Sequence, residues 1–187
     1  MKQYLFNINN LNTEDEERCV SLMTEERRSY ILTVSNTRRR KASIAGEWLV
    51  KKAIYELYSV PIEEIIIERT QKGKPYVKDK NIHISISHSA DFVAVAVATE
   101  PIGIDIEVIK PLDLKVADKA CNQKDKQLLL SAKTEEEALL TFLKIWTAKE
   151  AYFKMKGTGI TNLKEISYTD INAVHTFENN LIITTVK

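Results

Sequence analysis

The sequence predicts an α+β fold in which each half supplies helix and then short antiparallel strands. Three observations carry this. Apolar residues recur at helical spacing in two long stretches, from Thr37 to about Tyr58 and from Thr134 to Gly157. Several short runs alternate apolar and polar residues with period two, as strands do. The gaps between neighbouring runs are short, which favours hairpins. No linker separates the halves, and no direct residue-level repeat is visible between them.

Taken in order, residues 3–8 alternate and form a candidate first strand, and Glu14 to about Thr33 is charged and helical in character. Asn36 is the expected N-cap of the next helix, whose first turn carries Arg38, Arg39, Arg40 and Lys41. Ile44, Ala45, Trp48, Leu49, Ala53, Ile54 and Leu57 form its apolar stripe, and Pro61 ends it. Strand signals follow in EIIIERT (64–70), IHISISHS (82–89), FVAVAVAT (92–99) and IGIDIEVI (102–109). Ser89-Ala90-Asp91 and Glu100-Pro101 read as hairpin connections. Helical material resumes and breaks near Asn122. Thr134-Glu135-Glu136-Glu137 then fits a capping box opening a helix that stops at Gly157. EISYTDI (165–171) and LIITTV (181–186) read as two more strands.

Length and composition bound the function. The 187 residues suit one domain or two small lobes, with 44% hydrophobic and 28% charged residues. A net charge of +1 gives no general field for nucleic acid or membrane, so any basic site is local. Cys19 and Cys121 have neither zinc-site nor disulfide spacing. The start, MKQYLFNINN, is too polar for a signal peptide, and a cytoplasmic location is expected.

The chemistry concentrates in two motifs. In IGIDIE (102–107) the isoleucines share one strand face, leaving Gly103, Asp105 and Glu107 on the other. Two adjacent carboxylates repel unless water, a proton or a cation intervenes. The plain reading is a half-buried strand with a solvated acidic face. In IWTAKEAYFK (145–154), Trp146, Glu150 and Lys154 line one helix face, where Glu150 with Lys154 reads most simply as a surface ion pair. Combined, Asp105, Glu107 and Glu150 offer three hard oxygen donors of the kind that suit Mg2+ or Mn2+ with phosphate oxygens. Arg27, Arg28, the Arg38–Lys41 run, Lys74, His88 and Lys154 are candidate phosphate partners. GKP (73–75) alone is a turn. Leu128, Leu129 and Leu130 read as core rather than as a docking surface.

GKP, ISISHS (84–89), IGIDIE and WTAKEAYFK (146–154), in this order and spacing, resemble the 4′-phosphopantetheinyl transferases of the larger, pseudo-dimeric type. The resemblance runs from about Arg27 to Gly159, and the stretch after Gly159 is short beside the family's larger members. It implies two similar α+β lobes related by a pseudo-two-fold, here 1–101 and 102–187, with the active site in the cleft between them. It implies transfer of the phosphopantetheine arm of coenzyme A to a serine of an apo acyl or peptidyl carrier protein, with Mg2+ as the metal. Asp105, Glu107 and Glu150 match the metal carboxylates, and Glu150 is also a candidate for activating the serine. Lys154 matches the lysine at the diphosphate, Ser87 and His88 the phosphate-binding pair, and Gly73-Lys74-Pro75 the loop near the adenine. Arg27 and Arg40 are the expected amino-terminal basic contacts. Two lobes in one chain imply a monomer.

Two other classes fit the residues alone. A metal-dependent nuclease or nucleotidyl transferase could use the same carboxylates. The Arg38–Lys41 run could bind RNA or an acidic partner, against which stand the near-neutral charge and the lack of interleaved aromatics.

Overall fold

The computed structural model describes residues 1–111, 114–159 and 162–187. The chain divides into two units, Met1–Pro101 and Ile102–Lys187, and each is α+β with small antiparallel sheets.

In the first unit, β1 (Lys2–Asn7) leads to α1 (Thr13–Ser21) and α2 (Glu25–Thr33). Residues 14–33 are helical as expected, divided into two helices. Thr24 separates them, its hydroxyl accepting the Arg27 N–H at 3.2 Å as a fresh N-cap. α3 (Thr37–Tyr58) begins on Asn36, whose side chain accepts the Arg39 N–H at 2.9 Å. It ends at Ser59, held in the left-handed region at φ 54°. Then come β2 (Ile67–Arg69), β3 (Pro75–Val77), β4 (His83–Ser89) and β5 (Phe92–Ala98). The expected strand at 64–70 is only β2, because Ile62–Glu64 closes into a 3-10 turn first.

β5 is the centre of a three-stranded sheet ordered β1-β5-β4, and β2 pairs with β3. Ile44, Leu49, Val50 and Ile54 of α3 form the core with Val93, Val95 and Val97 of β5. The valines supply one face of the strand at period two, which fixes the register, since a one-residue slip would turn all three away.

The second unit opens with β6 (Gly103–Val108), then α4 (Ala117–Ala120), α5 (Gln123–Leu130) and α6 (Glu135–Lys156). A hairpin of β7 (Ala173–Glu178) and β8 (Leu181–Val186) follows. The sheet order is β6-β8-β7. Glu100-Pro101 is thus not a hairpin turn: β5 pairs with β1 and β4, while β6 pairs with β8.

Three further expectations change. Residues 165–171 are 3-10 turns (Leu163–Glu165 and Tyr168–Asp170), not a strand. The backbone N–H of Tyr168 goes to Asp125 Oδ1 at 2.8 Å, so it is not available to a ladder. The strand lies later, at β7. Thr134 caps α6 by accepting the Glu137 N–H, but the Glu137 carboxylate accepts from Lys133 N; the reciprocal capping box belongs to Asn122 and Asp125 at α5. Leu130 is 84% exposed rather than core. Among the described residues, no helix is long and apolar enough to cross a membrane.

Candidate active site

Glycine decides how closely α6 can lie on β6. A Cβ added to Gly103 would stand 1.8 Å from the Ala151 carbonyl oxygen of α6, so only glycine permits this approach. Gly103, Asp105 and Glu107 alternate along the strand and share the face turned to the helix. The helix in turn presents Glu150 and Lys154, one turn apart.

The result is a partly buried acidic row, with Asp105 buried and Glu107 and Glu150 half-buried, rather than a fully solvated acidic face. Asp105 is 4% exposed, and Lys154 Nζ donates to its Oδ1 at 2.6 Å. Lys154 is therefore ion-paired across to the strand, not simply a surface partner of Glu150. The Glu150 carboxyl is pushed up to about 7 by burial first and by the Asp105 charge second. Lys154 offsets part of this rise and Glu107 adds a little to it. Three carboxylates facing one ammonium in partly dry surroundings explain the direction.

Neighbouring polar groups hold this arrangement. Thr184 of β8 lies opposite Asp105 of β6 and also opposite His175 of β7. Its hydroxyl is 2.8 Å from His175 Nδ1 and 2.5 Å from the Thr147 hydroxyl of α6. His175 Nε2 is 3.0 Å from the Tyr168 hydroxyl. Lys149, adjacent to Glu150 in sequence, points elsewhere: it is fully buried, pairs with Asp125 and donates to the Ala120 carbonyl at 2.8 Å. It ties α6 to the cap of α5.

Hard, anionic oxygen donors suit a divalent Mg2+-type ion, and the mutual repulsion felt by Glu150 is what such an ion would relieve. Asp105, Glu107 and Glu150 therefore fit the implied metal by donor chemistry. Among the described residues, no group of three or more His, Cys, Asp or Glu stands gathered at metal-holding geometry, and Lys154 supplies the positive charge on Asp105.

Apart from Lys154, the expected phosphate residues lie in the first unit. Ser87 is buried and His88 exposed at the end of β4. Lys74 sits in the β2–β3 turn, half-buried, and burial pushes its ammonium below the usual range. That turn is closed by Thr70 N to Lys74 O (2.9 Å) and Lys74 N to Thr70 Oγ1 (3.2 Å), with Gly73 at φ 81°. Arg27 bonds the buried Glu47 at 3.0 Å, and Arg40 bonds Glu16 at 3.3 Å. Both arginines are thus anchored within the unit.

Arg69 is a group that the sequence reading passed over. Its Nη1 donates to the Gly73 carbonyl at 3.2 Å, beside Lys74. Loss of water and the nearby Arg27 guanidinium both lower its proton affinity, partly offset by Glu47. Arg27 and Arg69 thus bring two guanidinium groups near one buried carboxylate, Glu47. The signal was its place directly before the turn in RTQKGKP.

A family model described as "4'-phosphopantetheinyl transferase superfamily" matches residues 101–185. Another, "4'-phosphopantetheinyl transferase, N-terminal", matches residues 9–100. The chain is 40% identical to the 4'-phosphopantetheinyl transferase psf-1 of Bacillus pumilus, over 65% of this chain and 52% of that protein. It is 32% identical to gsp of Aneurinibacillus migulanus, over 75% of this chain and 58% of that protein. With Sfp of Bacillus subtilis the identity is 31%, over 81% of this chain and 67% of that protein. The chain thus spans about half to two thirds of the length of these relatives.

Proposed function

The chain belongs to the 4′-phosphopantetheinyl transferase family, and from that premise we propose that it transfers the 4′-phosphopantetheine arm of coenzyme A to a serine of an apo carrier protein. The observation that supports this best is the meeting of Asp105, Glu150 and Lys154 where β6 and α6 pack.

In the proposed reaction the serine oxygen forms a bond to the β-phosphorus of coenzyme A. The bond from that phosphorus to the bridging oxygen breaks, and adenosine 3′,5′-bisphosphate leaves. Glu150 takes the serine proton across one water, since a carboxylate that also holds the metal has a lowered proton affinity of its own. Lys154 stabilises charge on the phosphate as the leaving oxygen departs. Mg2+, or Mn2+, would be held by Asp105, Glu107 and Glu150 and would polarise the diphosphate oxygens when bound. Ser87, His88, Lys74, Arg27 and Arg40 are assigned to the phosphates and adenine of coenzyme A, and Arg69 joins them.

The test is intact-mass analysis of a panel of apo carrier proteins incubated with the chain and coenzyme A, with and without Mg2+. A phosphopantetheine mass shift that needs Mg2+ and is lost in Asp105→Ala is expected. Full transfer in excess chelator would remove the metal from the scheme, and no transfer to any carrier would remove the activity.

A further inference from the structure

The hydrogen bonds around Thr184 have a direction, and counting donors fixes it. The Thr147 hydroxyl lies 2.8 Å from the Leu143 carbonyl oxygen within α6. A carbonyl only accepts, so the single Thr147 hydrogen is committed there. The Thr147 oxygen must then accept from Thr184, 2.5 Å away. Thr184 has now used its own hydrogen, so His175 Nδ1, at 2.8 Å, is the protonated ring nitrogen. Nε2 keeps a lone pair, and the Tyr168 hydroxyl donates to it at 3.0 Å. The surroundings agree with each step. Burial holds His175 below the ordinary imidazole range and lifts Tyr168 above the ordinary phenol range, so the ring is neutral and the phenol keeps its hydrogen.

The path continues past the Tyr168 ring. Its backbone N–H donates to Asp125 Oδ1 at 2.8 Å, and Asp125 is the buried ion-pair partner of Lys149. The path thus leaves α6 at Thr147, crosses β8 and β7, and returns to α6 at Lys149. Thr147, Thr184, Asp125 and Lys149 are all fully buried. Both ends of the circuit fall in the turn of α6 immediately before Glu150, and Thr184 lies opposite Asp105 in the strand register. Apolar packing alone tolerates a small rotation of a helix on its sheet. A buried circuit whose donors are all committed does not, because rotation would strand a polar group away from water.

We propose that this closed circuit is a clamp on α6, in which Thr147, Thr184 and His175 are positioning residues that set Glu150 and Lys154 against Asp105. Gly103 lets the helix come close, and the clamp decides its rotation once there. The consequence for catalysis rests on the transferase reading of the site, and the tests separate the two.

The direction of the circuit is read by long-range 1H–15N NMR of the full chain labelled at histidine, above the ordinary imidazole range, with His175→Gln identifying the signal. A protonated Nδ1 and a bare Nε2 are expected. A protonated Nε2, alone or in a mixture, overturns the proposal.

Positioning is read without any transfer by a double-mutant cycle in urea. Lys154→Met is expected to shift the unfolding midpoint less in a Thr147→Val background than in the wild-type chain, since a loosened helix no longer holds Lys154 to Asp105. Additive shifts overturn the clamp. In the transfer assay, Thr147→Val is expected to lower kcat about 10- to 100-fold with KM for coenzyme A within about twofold, and Thr147→Ser to restore it. An unchanged kcat, or a loss that serine does not recover, overturns the positioning role. A wild-type chain that transfers to no carrier overturns the transferase reading instead, and the urea cycle still decides the clamp.

Discussion

Lys154 Nζ stands 2.6 Å from Asp105 Oδ1, joining the last turn of α6 to the middle of β6. The aspartate is almost dry, while the lysine keeps part of its side chain in solvent. Transfer from coenzyme A is expected to fall by about 10²-fold or more in Asp105→Asn and in Lys154→Met, by analogy with removal of a single charge-stabilising group. Steady-state rates, with circular dichroism to show a native fold, check this. Near-normal rates in either variant would remove that residue from the site.

Removal of the metal is predicted to act through Glu150. Adding Mg2+ to chelator-treated protein is expected to raise Tm, since a ligand that binds only the native state stabilises it by mass action. The rise is expected to vanish in Asp105→Ala and to shrink in Glu150→Gln. Differential scanning fluorimetry across a Mg2+ series reads it.

Gly103→Ala is expected to cost about 1–3 kcal/mol or more, because the added methyl meets helix backbone rather than a side chain that can swing away. The helix must lift, and Glu150 and Lys154 lift with it. Urea unfolding should report the lost stability together with lost transfer. A variant as stable as the parent would mean that the helix yields freely.

The Lys149–Asp125 pair is fully buried, and its neighbours satisfy the remaining Asp125 acceptors, including Tyr168 N and Asn122 N at 2.8 and 3.0 Å. Lys149→Met is expected to cost about 3–5 kcal/mol, since it leaves a buried carboxylate uncompensated. The double change Lys149→Met with Asp125→Leu should cost less than that single change. Denaturant midpoints for the three variants test the order, and a larger loss in the double variant would refute it.

His175 supplies a pH dependence. Burial first, and Lys144 second, lower its pKa below the ordinary 6.5. The unfolded chain therefore takes up the proton before the folded chain does. Stability from this group is fully present above about pH 6.5 and is lost as pH falls through the lowered folded value. His175→Gln is expected to flatten that part of the profile, measured as Tm between pH 5 and 8.

Much of the plan was legible because it rests on local physics. Asn36 and Thr134 sit where caps were expected, and the valines of β5 and isoleucines of β6 alternate as buried strands must. β7 was not legible: Val174 and Phe177 are exposed on an edge strand, so AVHTFE carries no clean alternation. The spurious strand at 165–171 failed for a different reason. Its alternation is real, but Asp125 captures the Tyr168 N–H from a distant part of the chain.

Residue spacing alone determined the helices, most strands, and the grouping of Glu150 with Lys154 and of Asp105 with Glu107, because side-chain direction follows from helical and extended geometry. Tertiary packing decided the rest. Only the close approach permitted by Gly103 dries Asp105, pushes up Glu150 and draws Lys154 across to the strand. Desolvation and Coulomb energy depend on distances through space, and no pattern along the chain encodes those directly.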